Sequence, residues 1–234
     1  MSYPKVVKAL IVKNFPISKN IYVLELDPSE KIKPLPGQFL FLRIFQGFGE
    51  SICRPFVFNY LDDKLVITYK IAGEGTFALS RLKPGDSLKA LMPLGRSVFP
   101  LNPERVLLAS GVRISALIGL KQNTNSELFF LKEDGDAEIL NYFGLKANIL
   151  KDKEELFDIL NARKYRDFNL SIPLELAIEL KKRFDIRGDI FIQTRMACGW
   201  GACYGCVIET ISGYKRVCID GPVFNIEEIR CLQV

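Results

Sequence analysis

Cys198, Cys203 and Cys206 are spaced C-x4-C-x2-C, and Cys218 follows after eleven intervening residues. This is the plant-type pattern for a [2Fe–2S] cluster, in which each iron takes two thiolates and the fourth ligand comes from further along the chain. Gly199, Gly201 and Gly205 lie among these cysteines. A loop that wraps a cluster needs backbone freedom and N–H groups close to sulfur, and a Cβ obstructs both. Four thiolates also suit a tetrahedral zinc ion. Zinc is therefore the competing reading, although zinc sites usually pair two C-x2-C knuckles and only one is present here. A disulfide framework fits poorly, because the other two cysteines, Cys53 and Cys231, are remote and no secretory signal opens the sequence.

The chain of 234 residues contains no histidine. That removes Rieske ligation, histidine-ligated haem, Cys/His zinc sites and every histidine-based triad, so redox chemistry here would be carried by a cofactor. The net charge of +5 is modest and spread along the sequence, which gives little support to nucleic-acid binding. Its densest basic run, Lys181-Lys182-Arg183, ends a helix-like segment, where cations favour the helix dipole. The apolar runs are short and interrupted, so no transmembrane helix is expected. The opening Met-Ser-Tyr-Pro-Lys-Val-Val-Lys lacks a signal-peptide core, and a cytoplasmic location is expected.

Three blocks must position the cysteines. Residues 5–13, 20–27, 37–45, 56–60, 65–71 and 87–91 read as short strands separated by turn residues such as Leu35-Pro36-Gly37 and Lys83-Pro84-Gly85-Asp86. With one short helix near 76–82, they suggest a small antiparallel barrel over residues 1–100. Strands and helices then alternate: strands at 106–109, 127–131, 148–150 and 168–171, helices at 114–121, 137–143, 153–160 and 174–184, the last opened by Pro173. This predicts a parallel sheet in an α/β domain over 101–188, short for a complete dinucleotide-binding fold. Residues 189–234 form the third domain. There a hairpin through Ser212-Gly213 would bring Cys218 back to the cysteine loop.

With these blocks in this order, the chain resembles the ferredoxin-reductase superfamily, and within it the electron-transfer subunits of heterodimer-type dihydroorotate dehydrogenases. Met196-Ala197-Cys198-Gly199-Trp200-Gly201-Ala202-Cys203-Tyr204-Gly205-Cys206 and Lys215-Arg216-Val217-Cys218-Ile219-Asp220-Gly221-Pro222-Val223-Phe224 carry the resemblance most strongly. It implies a multi-domain α+β protein: a flavin-binding antiparallel β-barrel, a reduced Rossmann-like α/β domain, and a [2Fe–2S] domain with Cys198, Cys203, Cys206 and Cys218 as ligands. It also implies FAD on Arg54, Pro55, Phe56 and Val57, with Arg54 at the pyrophosphate and the backbone of Gly73 and Gly75 with the Thr76 hydroxyl at phosphate. Trp200 and Tyr204 flank the ligands, facing either the partner or the cluster, and Cys53 and Cys231 read as buried or free thiols. The implied partner is an FMN-containing catalytic subunit that oxidises dihydroorotate to orotate in pyrimidine synthesis, in a dimer of heterodimers. A reductase subunit of another system, such as a hydrogenase or an oxygenase, is the alternative, and a zinc-stabilised scaffold without redox function is a third.

The sequence departs from the family in three places. Val57 stands where a Ser or Thr hydroxyl commonly lies near the flavin N5, and valine has no such group. The Gly-Gly-x-Gly turn after the first strand of the α/β block appears as Ser110-Gly111-Val112-Arg113, and Arg113 fills space that a pyrophosphate needs. The Cys-Gly-Pro motif beside the nicotinamide is replaced by Asn169-Leu170-Ser171-Ile172-Pro173. All three concern hydride exchange with NAD, so NAD binding is not expected. The electron acceptor would be a quinone or a small redox protein.

Overall fold

The computed structural model describes residues 3–45, 51–96, 98–133 and 135–230. Cys231 lies outside the described residues.

Seven strands form the first sheet: β1 (Lys5–Pro16), β2 (Ile21–Pro28), β3 (Phe39–Phe45), β4 (Ser51–Val57), β5 (Asn59–Leu61), β6 (Lys64–Lys70) and β7 (Ser87–Leu94). Neighbours are antiparallel, in the order β4-β3-β7-β1-β2-β6-β5. β4 and β5 are the two edges of that order, yet only Phe58 separates them along the chain. The sheet must therefore roll up until its edges approach each other, giving the barrel expected from the sequence. The single strand expected over 56–60 divides at Phe58, whose ring is buried in the barrel core. Alternation along β1 sends Val7, Ala9 and Ile11 inward and leaves Val6, Lys8 and Leu10 exposed. Helix α1 (Glu74–Ser80) packs beside β3 and β4.

The α/β part runs β8 (Val106–Ser110), α2 (Ile118–Asn123), β9 (Leu128–Leu131), α3 (Glu138–Tyr142), β10 (Asn148–Leu150), α4 (Lys153–Ala162), β11 (Asp167–Ser171), α5 (Leu174–Phe184) and β12 (Arg187–Phe191). The cysteine segment follows, with the hairpin β13 (Val207–Thr210) and β14 (Gly213–Arg216), the one-turn helix α6 (Val217–Asp220) and strand β15 (Val223–Asn225). The second sheet has the order β10-β9-β8-β11-β12-β15. Its first five strands are parallel and β15 is antiparallel to β12. β8 is buried throughout, and apolar up to Ala109, because both of its faces are covered. Val106 and Leu108 pack with side chains of α4 and α5, whereas Leu107 and Ala109 pack with those of α2 and α3. A 3-10 turn over Gly111–Ala116 precedes α2, where the sequence suggests one helix over 114–121.

A boundary between 188 and 189 falls inside β12. Ile190 and Phe191 of that strand enter the cores on opposite faces of the second sheet, and β15 returns to pair with it. The cysteine segment is thus looped out between two neighbouring strands of the α/β sheet.

Candidate metal centre and flavin cavity

The loop after β12 carries Cys198, Cys203 and Cys206. The β13–β14 hairpin then returns the chain, and the Val217 N–H donates to the Cys206 carbonyl at 3.0 Å. β14 stops at Arg216, so Cys218 sits on α6 rather than on a strand, beside Cys206. The Cys218 N–H donates to Cys206 Sγ at 3.5 Å. Cys206 and Cys218 are buried in the core against α4 and α5, Cys198 is half-buried and Cys203 is exposed. Cys206 and Cys218 thus adjoin through a backbone N–H, and Cys198 and Cys203 share the loop whose own amides reach their sulfurs. Two thiolates per iron is the donor set of a [2Fe–2S] rhomb, whereas a single zinc draws all four sulfurs to one point. The paired arrangement therefore fits the cluster.

Backbone amides serve these sulfurs. The Trp200 N–H donates to Cys198 Sγ and the Gly205 N–H to Cys203 Sγ, both at 3.4 Å. The Trp200 N–H, followed by that of Cys203, brings the Cys198 thiol down to about 6. Burial and the Cys206 thiol push Cys218 up to about 12. The loop obtains these amides by turning left-handed at Gly199, Gly201 and Tyr204, with φ of 73°, 79° and 54°. Tyr204 bears this without glycine's freedom, and the Arg216 guanidinium lies 5.0 Å from the centre of its ring. Arg216 also donates to the Gly201 carbonyl at 2.9 Å, tying the hairpin to the loop.

A cavity of about 460 Å³ lies where the barrel meets the α/β sheet. Pro55, Phe56 and Val57 line it from β4, Arg113 from the turn after β8, and Gln193, Thr194, Arg195 and Met196 from the segment after β12. Its volume is that of a cofactor cleft. The sequence reading missed residues 193–196. Their position just past the carboxyl end of a parallel strand is the signal that could have found them. Arg54, Gly73, Gly75 and Thr76 do not line this cavity. Arg54 is exposed and donates to the Cys53 carbonyl at 3.1 Å. The Thr76 hydroxyl accepts the N–H groups of Ala72 and Gly73 at 2.9 and 3.3 Å and donates to the Gly73 carbonyl at 3.0 Å. It therefore serves chiefly to cap α1.

The turn after β8 is held from both sides. The Asn59 side-chain amide donates to the Ser115 carbonyl at 3.0 Å, and the hydroxyls of Thr68 and Ser115 share a short hydrogen bond. From the sheet, the Ser171 hydroxyl donates to the Arg113 carbonyl at 2.7 Å. Gly111 has φ of 54°, and a Cβ on it would meet the Glu133 carboxylate at 2.7 Å. Asn169 and Ser171, in the segment that replaces Cys-Gly-Pro, are fully buried within β11 and present nothing to a ligand.

Comparison with known proteins places this geometry. The model for the iron–sulfur cluster binding domain of dihydroorotate dehydrogenase B matches residues 193–230. The dihydroorotate dehydrogenase B (NAD(+)) electron transfer subunit homolog of Aquifex aeolicus is 30% identical, over 94% of this chain and 97% of its own. The corresponding electron transfer subunit of Caldanaerobacter subterraneus is also 30% identical, over 95% and 97%. Among solved structures, an NADH-dependent reduced ferredoxin-NADP oxidoreductase shares the fold with a TM-score of 0.77 at 20% identity, covering 95% of this chain and 89% of that one. A flavohemoglobin from Malassezia yamatoensis shares it with a TM-score of 0.61 at 18% identity, over 80% and 60%. The ferredoxin-reductase-like fold, the cysteine loop and full-length similarity to these relatives agree, and the chain belongs to the family of dihydroorotate dehydrogenase B electron transfer subunits.

Proposed function

We propose that this chain carries electrons for a separate FMN-containing catalytic subunit that oxidises dihydroorotate to orotate, in a cytoplasmic dimer of heterodimers. Cys198, Cys203, Cys206 and Cys218 hold a [2Fe–2S] cluster. Pro55, Phe56 and Val57 receive the FAD ring, and Arg54, Gly73, Gly75 and Thr76 serve its phosphates through charge and backbone N–H groups. When bound, the two groups supply one-electron and two-electron redox chemistry. The protein supplies thiolates, amides aimed at sulfur and exclusion of water. One observation carries this reading: the segment that lines the cavity ends at Met196, and Cys198 follows two residues later. A flavin and a cluster held at these sites would share one short stretch of backbone.

We further propose an acceptor other than NAD, a quinone or a small redox protein. Arg113 and the Glu133 carboxylate over Gly111 occupy the turn where a dinucleotide needs bare backbone. Anaerobically purified protein should show flavin bands and a cluster envelope that dithionite bleaches, and reduction by dihydroorotate should require the catalytic subunit. Rapid mixing with NADH should leave the flavin oxidised. A colourless, zinc-containing protein would remove the redox reading, and fast reduction by NADH would remove the claim about the acceptor.

A further inference from the structure

Three charged side chains lie between Cys198 and Cys218: Glu209, Lys215 and Arg216. Two of them pair with residues beyond β15, Glu209 with Arg230 and Lys215 with Glu228 at 3.8 Å. Lys215 and Arg216 are neighbours on β14, and alternation along a strand sends them to opposite faces of the hairpin. Arg216 is the one of the three whose contacts lie on the cysteine loop.

Its guanidinium meets three groups at once. Nη1 donates to the Gly201 carbonyl at 2.9 Å, and the group lies 5.0 Å from the centre of the Tyr204 ring. Nε lies 3.6 Å from Asp220 Oδ2, the same oxygen that accepts the Arg216 backbone N–H at 2.7 Å. Gly201 stands between Cys198 and Cys203, Tyr204 between Cys203 and Cys206, and Asp220 two residues past Cys218. The contacts of one side chain thus bracket all four cysteines. A Cβ on Gly201 would collide with Ile219 and crowd Arg216 Nη1 at 3.3 Å, so the approach depends on a glycine there. It depends equally on an arginine: a lysine offers one point charge where the planar guanidinium offers a donor, an edge and a face. The side chains of Arg216 and Asp220 are only 29% and 35% exposed, so salt screens them less than free surface charges.

We propose that Arg216 and Asp220 form an opposed pair of positioning residues that sets the reduction potential of the iron–sulfur site. Arg216 holds the loop and raises the potential, and Asp220 holds Arg216 and limits that rise. This rests on the reading that Cys198, Cys203, Cys206 and Cys218 hold a [2Fe–2S] cluster. A cluster on four thiolates is a net anion and grows more negative with each electron, so nearby charge decides how readily it is reduced. The guanidinium keeps its proton throughout, and the pair exchanges neither protons nor electrons. Removing the Arg216 charge takes away a cation and also leaves the Asp220 carboxylate unpaired, two effects of one sign. Removing the Asp220 charge leaves the guanidinium uncompensated and acts in the opposite direction. A latch that served shape alone would not give opposite signs.

The test uses the full chain, purified anaerobically with its cofactors, and reads the cluster potential by redox titration followed by EPR. R216Q should lower the equilibrium constant for cluster reduction about tenfold, which is about 59 mV in a one-electron couple. D220N should shift the potential upward, since asparagine keeps a carbonyl for the Arg216 N–H but carries no charge. R216K keeps the charge without the fork, so its potential should stay closer to the parent's than that of R216Q while its iron content per chain falls. Shifts of the same sign in R216Q and D220N overturn the proposal and leave the functional reading intact. So does a D220N potential equal to the parent's, or an R216K potential equal to that of R216Q. Where R216Q loses its cluster altogether, the direction of the D220N shift decides alone. A parent that holds zinc and gives no cluster signal on reduction overturns both readings.

Discussion

Arg113 Nη1 and Glu133 Oε1 lie 3.4 Å apart across the turn that follows β8. The same carboxylate occupies the space that a side chain on Gly111 would need. A turn that in nucleotide-binding folds is kept bare for pyrophosphate is here closed by a cation and an anion. The anion also repels phosphate, so the arginine alone does not create a dinucleotide site.

The double variant R113G/E133Q should therefore let NADH reduce the flavin measurably faster than in the unmodified protein, whereas R113G alone should not. Both members of the pair are partly exposed, so R113G should alter stability by no more than about 1 kcal/mol. Stopped-flow flavin absorbance and denaturant titration read the two effects. A double variant as inert as the parent would place the obstruction elsewhere, for instance in the buried Asn169–Ser171 segment.

Gly199 and Gly205 both lie in the cysteine loop, but they should not respond alike to alanine. Gly199 has φ of 73° and rests on Phe41. Gly199→Ala should cost about 1–2 kcal/mol for the left-handed backbone alone, with the contact to Phe41 in addition, and should lower iron content per chain. At Gly205 a Cβ meets only Cys203 Sγ, at 3.5 Å, an ordinary contact. Gly205→Ala should keep its iron. Equal iron loss in both would mean that the glycines serve the cluster in a way the backbone geometry does not capture.

The contrast shows what the sequence could and could not disclose. Cysteine spacing announces a two-iron donor set because ligand geometry leaves few alternatives, and strand alternation announces the barrel because side chains must take one of two faces. Neither β12 nor β15 could be assigned to its sheet by pattern. Arg187–Phe191 stands next to the cysteines in sequence, and only its pairing with β11 shows that it belongs to the α/β core. The cavity-lining role of residues 193–196 was likewise hidden, since Gln193, Thr194 and Arg195 carry no motif and Met196 reads only with the cysteines that follow it. Thr76 was legible in place but not in role, because its hydroxyl is taken up by the start of α1.

The final prediction concerns pH. Asp136 is buried just before α3, and its two carboxylate oxygens accept the Glu133 N–H at 3.0 Å. Burial pushes its pKa up to about 6 against the opposing pull of that N–H, and the Glu133 charge adds to the rise. In the unfolded chain the group titrates near its ordinary value of 3.8. Between those two values the folded state holds a proton that the unfolded state lacks, so stability must fall as pH rises through this window and level off above it. Asp136→Asn carries no charge and keeps one acceptor for the Glu133 N–H. Relative to the parent it should gain stability across the window, reaching at most about 3 kcal/mol, less about 1 kcal/mol for the acceptor it loses. Denaturant titrations at a series of pH values, compared as a difference between variant and parent, cancel the other carboxylates. A difference that stays constant from pH 4 to 7 would show that Asp136 titrates normally in the folded protein, and that the polarity of the Glu133 loop outweighs its burial.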